Sequence, residues 1–198
     1  MARLPKNATH PRSRAAWRQW LEENHTRTEG VWLVSYKKAS GKPRIEYEAS
    51  VEEAICFGWI DSKVNKLDEE RSMLWFAPRK PRTGWSRPNK VRVARVLAAG
   101  LMHPAGLAKV EQAKADGSWS LLDGVEELQV PEDLRAALAS HPRAAARFEA
   151  FPRSAKRGIL EWILVAKRPE TRAHRIQETA RLAEKNIRAN QWRPKGAS

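Results

Sequence analysis

The chain has a single cysteine, Cys56, so no disulfide framework can staple it. It lies on the apolar face of an expected helix, which suits a small buried hydrophobe better than a reactive thiol. Long apolar runs are also missing. Nothing approaches the 18 or so residues needed to cross a bilayer, so membrane insertion is not expected. The histidines (His10, His25, His103, His141 and His174) are scattered, without H-x-x-x-H, HExxH or CxxC spacing. That excludes the common zinc arrangements, and no cofactor is expected. The GxSxG elbow, GxxxxGK[ST] and GxGxxG are absent, which removes the serine nucleophile-elbow, P-loop and dinucleotide readings. No repeat of fixed period occurs.

Acid is missing where it matters most. From Leu74 to Val110 there is no Asp or Glu, while Arg79, Lys80, Arg82, Arg87, Lys90, Arg92, Arg95 and Lys109 all fall there. The whole chain carries a net charge of +14. Such an imbalance favours polyanionic partners, although a solvated basic face in an arginine-rich chain gives the same count.

The 198 residues suffice to bury about 70% of the unfolded surface without staples. Residues 1–12 read as a loose, proline-punctuated tail. Ser13 caps an expected helix to about Asn24, with Trp17 and Leu21 on its inner face. Val31–Tyr36 reads as a central strand buried on both faces, and Arg44–Tyr47 as a short second one. Ser50 with Glu53 has capping-box spacing, and Gly58 fits the left-handed residue that ends that helix. Trp59–Leu67 and Ser72–Ala77 flank Asp68–Arg71 as an antiparallel hairpin, closed by Pro78. Further helices are expected from Ser86 to Ala99 and from His103-Pro104 to about Asp116, with an acidic loop over Ser118–Val130. Four more follow: Glu132–Ala139, Pro142–Ala150, Ser154–Lys167 and Pro169–Asn190. The expected fold is α+β: a small antiparallel or mixed sheet packed with helices over 13–122, then an all-helical region over 123–198.

Three places carry candidate chemistry. Asp61 follows Trp59 just past the glycine exit, where a carboxylate can orient an arginine of the Arg79–Arg82 loop. It is the one weak catalytic candidate, against the plainer role of a structural salt bridge. Arg79, Lys80, Arg82, Trp85, Ser86 and Asn89 form a basic loop running into a helix start, a recipe for holding phosphate. Trp75 and Trp85 offer faces for stacking bases, against the plainer role of core packing. Arg172 and Arg175, with Thr171 and His174, place cations at a helix start, where they oppose the macrodipole. A partner in the acidic 123–133 stretch accounts for them simply; a ligand anion is the sharper reading.

The segments WLEENHTRTEGVWLVSYKKASG, EEAICFGWIDS, FAPRKPRTGWSRPN, GLMHPAGLAKVEQAKADGSW and FPRSAKRGILEWILVAKRPETRAHRIQETARLAE occur in this order. Together they resemble the YdeI/OmpD-associated, or bacteriocin-protection, family over roughly residues 13–187. The resemblance implies an envelope or antimicrobial-resistance role, with a periplasmic setting for some members. The start MARLPKNATHPRSRAAW has no apolar core of secretory length, which points instead to the cytoplasm.

Three functions remain open on this reading. The first is a cytoplasmic accessory protein binding an anionic ligand, nucleic acid or a phosphorylated molecule, through the basic loop. The second is an enzyme acting on a small anionic substrate, with Asp61 and a loop arginine in its pocket. The third is a stress or bacteriocin-protection factor working through a protein partner.

Overall fold

A computed structural model describes residues 3–191, which divide into two compact units meeting in sequence at Leu121 and Leu122. In the first unit Ser13 begins helix α1 (Arg14–Asn24), its Oγ accepting the Ala16 N–H at 3.2 Å. Trp17 and Leu21, one turn apart, face inward and are buried completely. Strands β1 (Ala8–Thr9), β2 (Val31–Tyr36), β3 (Trp59–Lys66) and β4 (Arg71–Pro78) form one mixed sheet in the order β1-β2-β4-β3. β1 runs parallel to β2, and the other two pairings are antiparallel. The segment expected to be a loose tail therefore enters the sheet at Ala8.

Alternation along the strands separates two faces. Val31 and Phe76 pair across β2 and β4, as do Leu33 and Leu74; these face the core shared with α1 and the other helices of the unit. Trp32 and Trp75, opposite one another at the intervening register, point the other way, as does the Ile60–Ala77 pair. An irregularity between Asp61 and Val64 gives β3 one extra residue against β4, which re-aims Lys63.

Helix α2 (Tyr47–Cys56) starts one turn earlier than the Ser50 capping box implied, with Glu46 at its N-cap. Ser50 Oγ donates back to the Tyr47 carbonyl at 2.7 Å. Glu53 is occupied elsewhere, held by Arg14 at 2.5 Å and Arg18 at 2.7 Å, so the box does not form. Because the helix claims Tyr47, the expected strand at Arg44–Tyr47 is also absent; Ile45 plugs into the core from an irregular segment. Gly58 takes φ +77°, donates its N–H to the Ile55 carbonyl at 3.0 Å, and turns the chain straight into β3. Helices α3 (Arg87–Ala98) and α4 (Pro104–Ala115) complete the layer on the core face.

The second unit is all helical: α5 (Asp123–Glu126), α6 (Glu132–Ala139), α7 (Ala144–Glu149), α8 (Arg153–Leu164) and α9 (Pro169–Glu184). Its core includes Leu134, Phe148, Ile159, Ile163 and Ala180. The short α5 interrupts what reads in sequence as an acidic loop. α9 ends at Glu184 rather than Asn190 because Asn186 adopts φ +58° and Ile187 N–H bonds back to the Leu182 carbonyl at 2.9 Å, closing the helix. Among the described residues, no helix is long and apolar enough to cross a membrane.

Candidate functional site

Arg79 follows the last residue of β4, and its N–H is tied to the Gly58 carbonyl at 2.9 Å. This places the start of the basic loop against the glycine exit of α2. The side chain turns inward and is only 5% exposed. Nη2 donates to the carbonyls of Thr83 at 3.2 Å and Gly84 at 2.5 Å, and the guanidinium lies 3.8 Å from the centroid of the Trp85 ring. Nε is buried with no hydrogen-bond partner. No carboxylate among the described residues pairs with this group, and burial alone pushes its pKa down to about 10. The loop is thus folded around an uncompensated guanidinium.

Lys80, Pro81 and Arg82 stay exposed on the rim. Arg82 is held in the left-handed region at φ 58°, with its N–H donating to Asp116 Oδ2 at 3.2 Å. Asp116 also accepts the Ser118 N–H at 2.9 Å; its bonds from Ser118, with a smaller one from Arg82, hold the carboxyl below its usual range. Lys109, on α4, joins Arg79, Lys80 and Arg82 around a narrow notch in which Asp116 is the only acid. On the other side of Arg79 and Lys80 lies a shallow depression of about 270 Å³, floored by Ile60, Ala77 and Pro78.

Other residues singled out in the sequence are committed elsewhere. Trp85 is 2% exposed, sandwiched by Arg79 and by Trp119 at 5.2 Å, so its faces are closed to a base. Ser86 stands at the N-cap of α3, but its hydroxyl makes no capping bond. Asn89 is buried within α3 and accepts from Arg92 Nη1 at 2.7 Å. Trp59 is buried, donating Nε1–H to the His25 carbonyl at 3.1 Å.

Asp61 accepts the Tyr47 hydroxyl at 2.9 Å; its partner is Tyr47, not a loop arginine. Burial, followed by this bond, raises the Tyr47 pKa. The Arg92 guanidinium lies 5.7 Å from the Tyr47 ring but is itself held by Glu48 at 2.6 and 3.1 Å. Tyr47 lines a cavity of about 240 Å³ whose other walls include Leu33, Ile45, Val64 and Leu74. The cavity is mostly apolar and brings no second acid to Asp61.

In the second unit Arg172 makes a forked pair with Asp133, at 2.9 and 3.0 Å. It reaches the Ile163 carbonyl at 3.5 Å, and Arg175 donates to the Trp162 carbonyl while stacking 4.9 Å over the Trp162 ring. Both arginines therefore cap the open end of α8, whose negative dipole offsets their position at the start of α9.

Sequence reasoning passed over Trp32 and Lys63, and counted Lys109 only as one of the cations of the acid-free stretch. Trp32 meets Trp75 at 5.0 Å and 68°, and Lys63 Nζ sits 5.4 and 5.7 Å from the two ring centroids. The alternation Val31-Trp32-Leu33 was the available signal, but it needs the strand register to say which face Trp32 takes.

The chain is thus an α+β sheet unit bearing a basic loop, followed by a helical unit. Residues 9–109 match the family described as Domain of unknown function (DUF8412). That match spans 101 of the 198 residues, and the chain belongs to this family. Residues 127–186 match the family described as Bacteriocin-protection, YdeI or OmpD-Associated. The resemblance drawn from motifs along 13–187 is thus shown for the helical unit, while FGWIDS and PRKP–WS–N fall within the first match. No curated protein matches the chain, and no solved structure does.

Proposed function

We propose that the protein is a cytoplasmic accessory protein that binds an anionic ligand, nucleic acid or a phosphorylated molecule, at the loop Arg79–Arg82 with Lys109. The observation that carries this reading is Arg79: 5% exposed, pinned by two carbonyls and a tryptophan, and facing no carboxylate. Buried guanidinium groups are ordinarily matched by an acid, because an unpaired charge in the interior is costly. The notch beside it brings Lys80, Arg82 and Lys109 against the one carboxylate of Asp116, so an anion arriving from outside restores the balance. A cytoplasmic setting accords with the single, fully buried Cys56.

The test is a titration of a labelled duplex oligonucleotide and of inorganic polyphosphate at rising salt. The duplex affinity should fall with a log–log slope of about −0.9 for each phosphate contacted. The double variant K80E/K109E should flatten that slope, whereas K38E, an equal charge change per site on an exposed lysine, should alter it less. No binding of either polyanion at about 50 mM salt, where such contacts are strongest, would sink the reading.

The match of residues 127–186 favours a second reading, a protection factor acting through a protein partner. Its test is bacteriocin survival of cells lacking the protein, and unchanged survival counts against it.

A further inference from the structure

We infer that the outer face of the sheet is a stacking platform for single-stranded nucleic acid, with Trp32 and Trp75 taking bases and Lys63 and Lys80 taking phosphates. The inference rests on the basic-loop reading above and names its ligand. Its own observation is how the tryptophans of the first unit divide. Trp17, Trp59 and Trp85 are exposed by no more than 2%, closed into the core, and Trp20 and Trp119 are half-buried but pack against that core. Trp32 and Trp75 keep part of their surface open, set edge to face at 5.0 Å on the side of the sheet opposite the core that the helices share.

The two rings present apolar surface next to a cation. The irregularity in β3 turns Lys63 over both of them, at 5.4 and 5.7 Å. A flexible ammonium resting on two indoles is easily exchanged for a base, after which it is free to meet the adjoining phosphate. None of the strand positions on this face carries an acid.

The platform also leads to the loop. Ala77 lies two residues beyond Trp75 on the same face, and with Ile60 it floors the depression whose rim is Arg79 and Lys80. From Trp75 to the strand end at Pro78 is about 10 Å. A strand of nucleic acid laid along β4 therefore passes from aromatic faces to cations without crossing a carboxylate. Bases in a duplex are stacked on each other and unavailable to the rings, so the geometry selects single strands.

The experiment measures anisotropy of labelled oligo(dT) and oligo(U), a duplex, and polyphosphate of similar charge, at one salt concentration. A single strand, of either sugar, should bind at least about tenfold tighter than the duplex and polyphosphate. W32A should remove about tenfold of that advantage, and W32F should retain most of it. K63Q, an exposed change that spares the fold, should weaken single strands more than polyphosphate. Equal binding of all four ligands, with W32A and K63Q unaffected, overturns the platform and leaves the basic-loop reading standing. No binding of any of them overturns both.

Discussion

Arg79 carries its charge inward and meets two carbonyls and an indole ring. Replacing it with Met keeps much of the volume but leaves Thr83 and Gly84 without their donor. A lost bond to a charged donor costs about 1.5–3 kcal/mol, and relief of the buried charge offsets part of that. Arg79→Met should therefore lower unfolding stability by roughly 1–3 kcal/mol in urea titrations; an equally stable variant would mean that the guanidinium does not hold the loop. The sign with pH follows from its folded pKa of about 10, well below that of a solvated guanidinium. The fold disfavours the charged form, so the wild type should gain on the Met variant as pH rises through about 10. Gly106 makes a second residue-scale case. A Cβ there would lie 2.1 Å from the Cys56 carbonyl oxygen, backbone that cannot rotate aside, so Gly106→Ala should cost about 1–3 kcal/mol or more by the same assay. At this scale the sequence was informative about charge and poor about partners. The acid-free stretch marked the basic loop, but whether Trp85, Asn89 or Asp61 faces a ligand depends on side-chain directions that spacing alone does not supply. Trp85 reads in sequence as a stacking face or as core packing, and only its burial under Arg79 and Trp119 decides.

Two elements owe their geometry to carboxylates. In the β3–β4 hairpin Asp68 accepts the N–H groups of Glu70 at 3.1 Å and Arg71 at 2.8 Å, and pairs with the Arg71 guanidinium at 2.6 and 2.9 Å. The Arg71 side-chain bond, above all, lowers its pKa from 3.8 to about 2. A depressed carboxylate stabilises the fold above its unfolded pKa and stops doing so as pH falls through the folded one. Urea midpoints of the wild type should therefore fall between about pH 4 and pH 2, and Asp68→Asn should flatten that segment of the profile. In α2, Glu53 is 3% exposed and joins two arginines of α1, while Glu52 joins Arg14 and Arg95 and so reaches α3. Glu53→Gln should cost roughly 2–3 kcal/mol, less than the 3–5 of a fully buried pair, because Arg14 and Arg18 are 42% and 32% exposed. The same carboxylate explains a difference between pattern and fold. Ser50-x-x-Glu53 has capping-box spacing, yet Glu53 is drawn to arginines more than thirty residues away, a pairing no local motif encodes. Where the signal was local it was legible: the Ser13 cap, the Gly58 exit, the run Val31–Tyr36 and the helices of the second unit. Where a contact from afar decided, as with β1 at Ala8–Thr9 or Ile45 in the core, the pattern was silent.

For the whole molecule, the two units have separate cores, one running from Trp17 to Ala113 and the other from Leu122 to Ala189. The sheet, the acid-free stretch and both tryptophans of the proposed platform lie in residues up to Leu121, whereas Arg172 and Arg175 are spent on Asp133 and the end of α8. Affinity for polyanions should accordingly travel with the first unit. A fragment of residues 1–121 has its own core, so it should unfold cooperatively and keep the sheet signal in circular dichroism. It should also bind the single-stranded probe within a few-fold of the full chain at the same salt, with a similar salt slope, since the phosphate contacts are conserved in number. The fragment 122–198 should show a much shallower slope, because its arginines at α9 already face a carboxylate and carbonyl oxygens. If the affinity instead followed residues 122–198 while the first fragment remained folded, the anion site would belong to the helical unit, and the uncompensated Arg79 would have to be explained as a loop anchor alone.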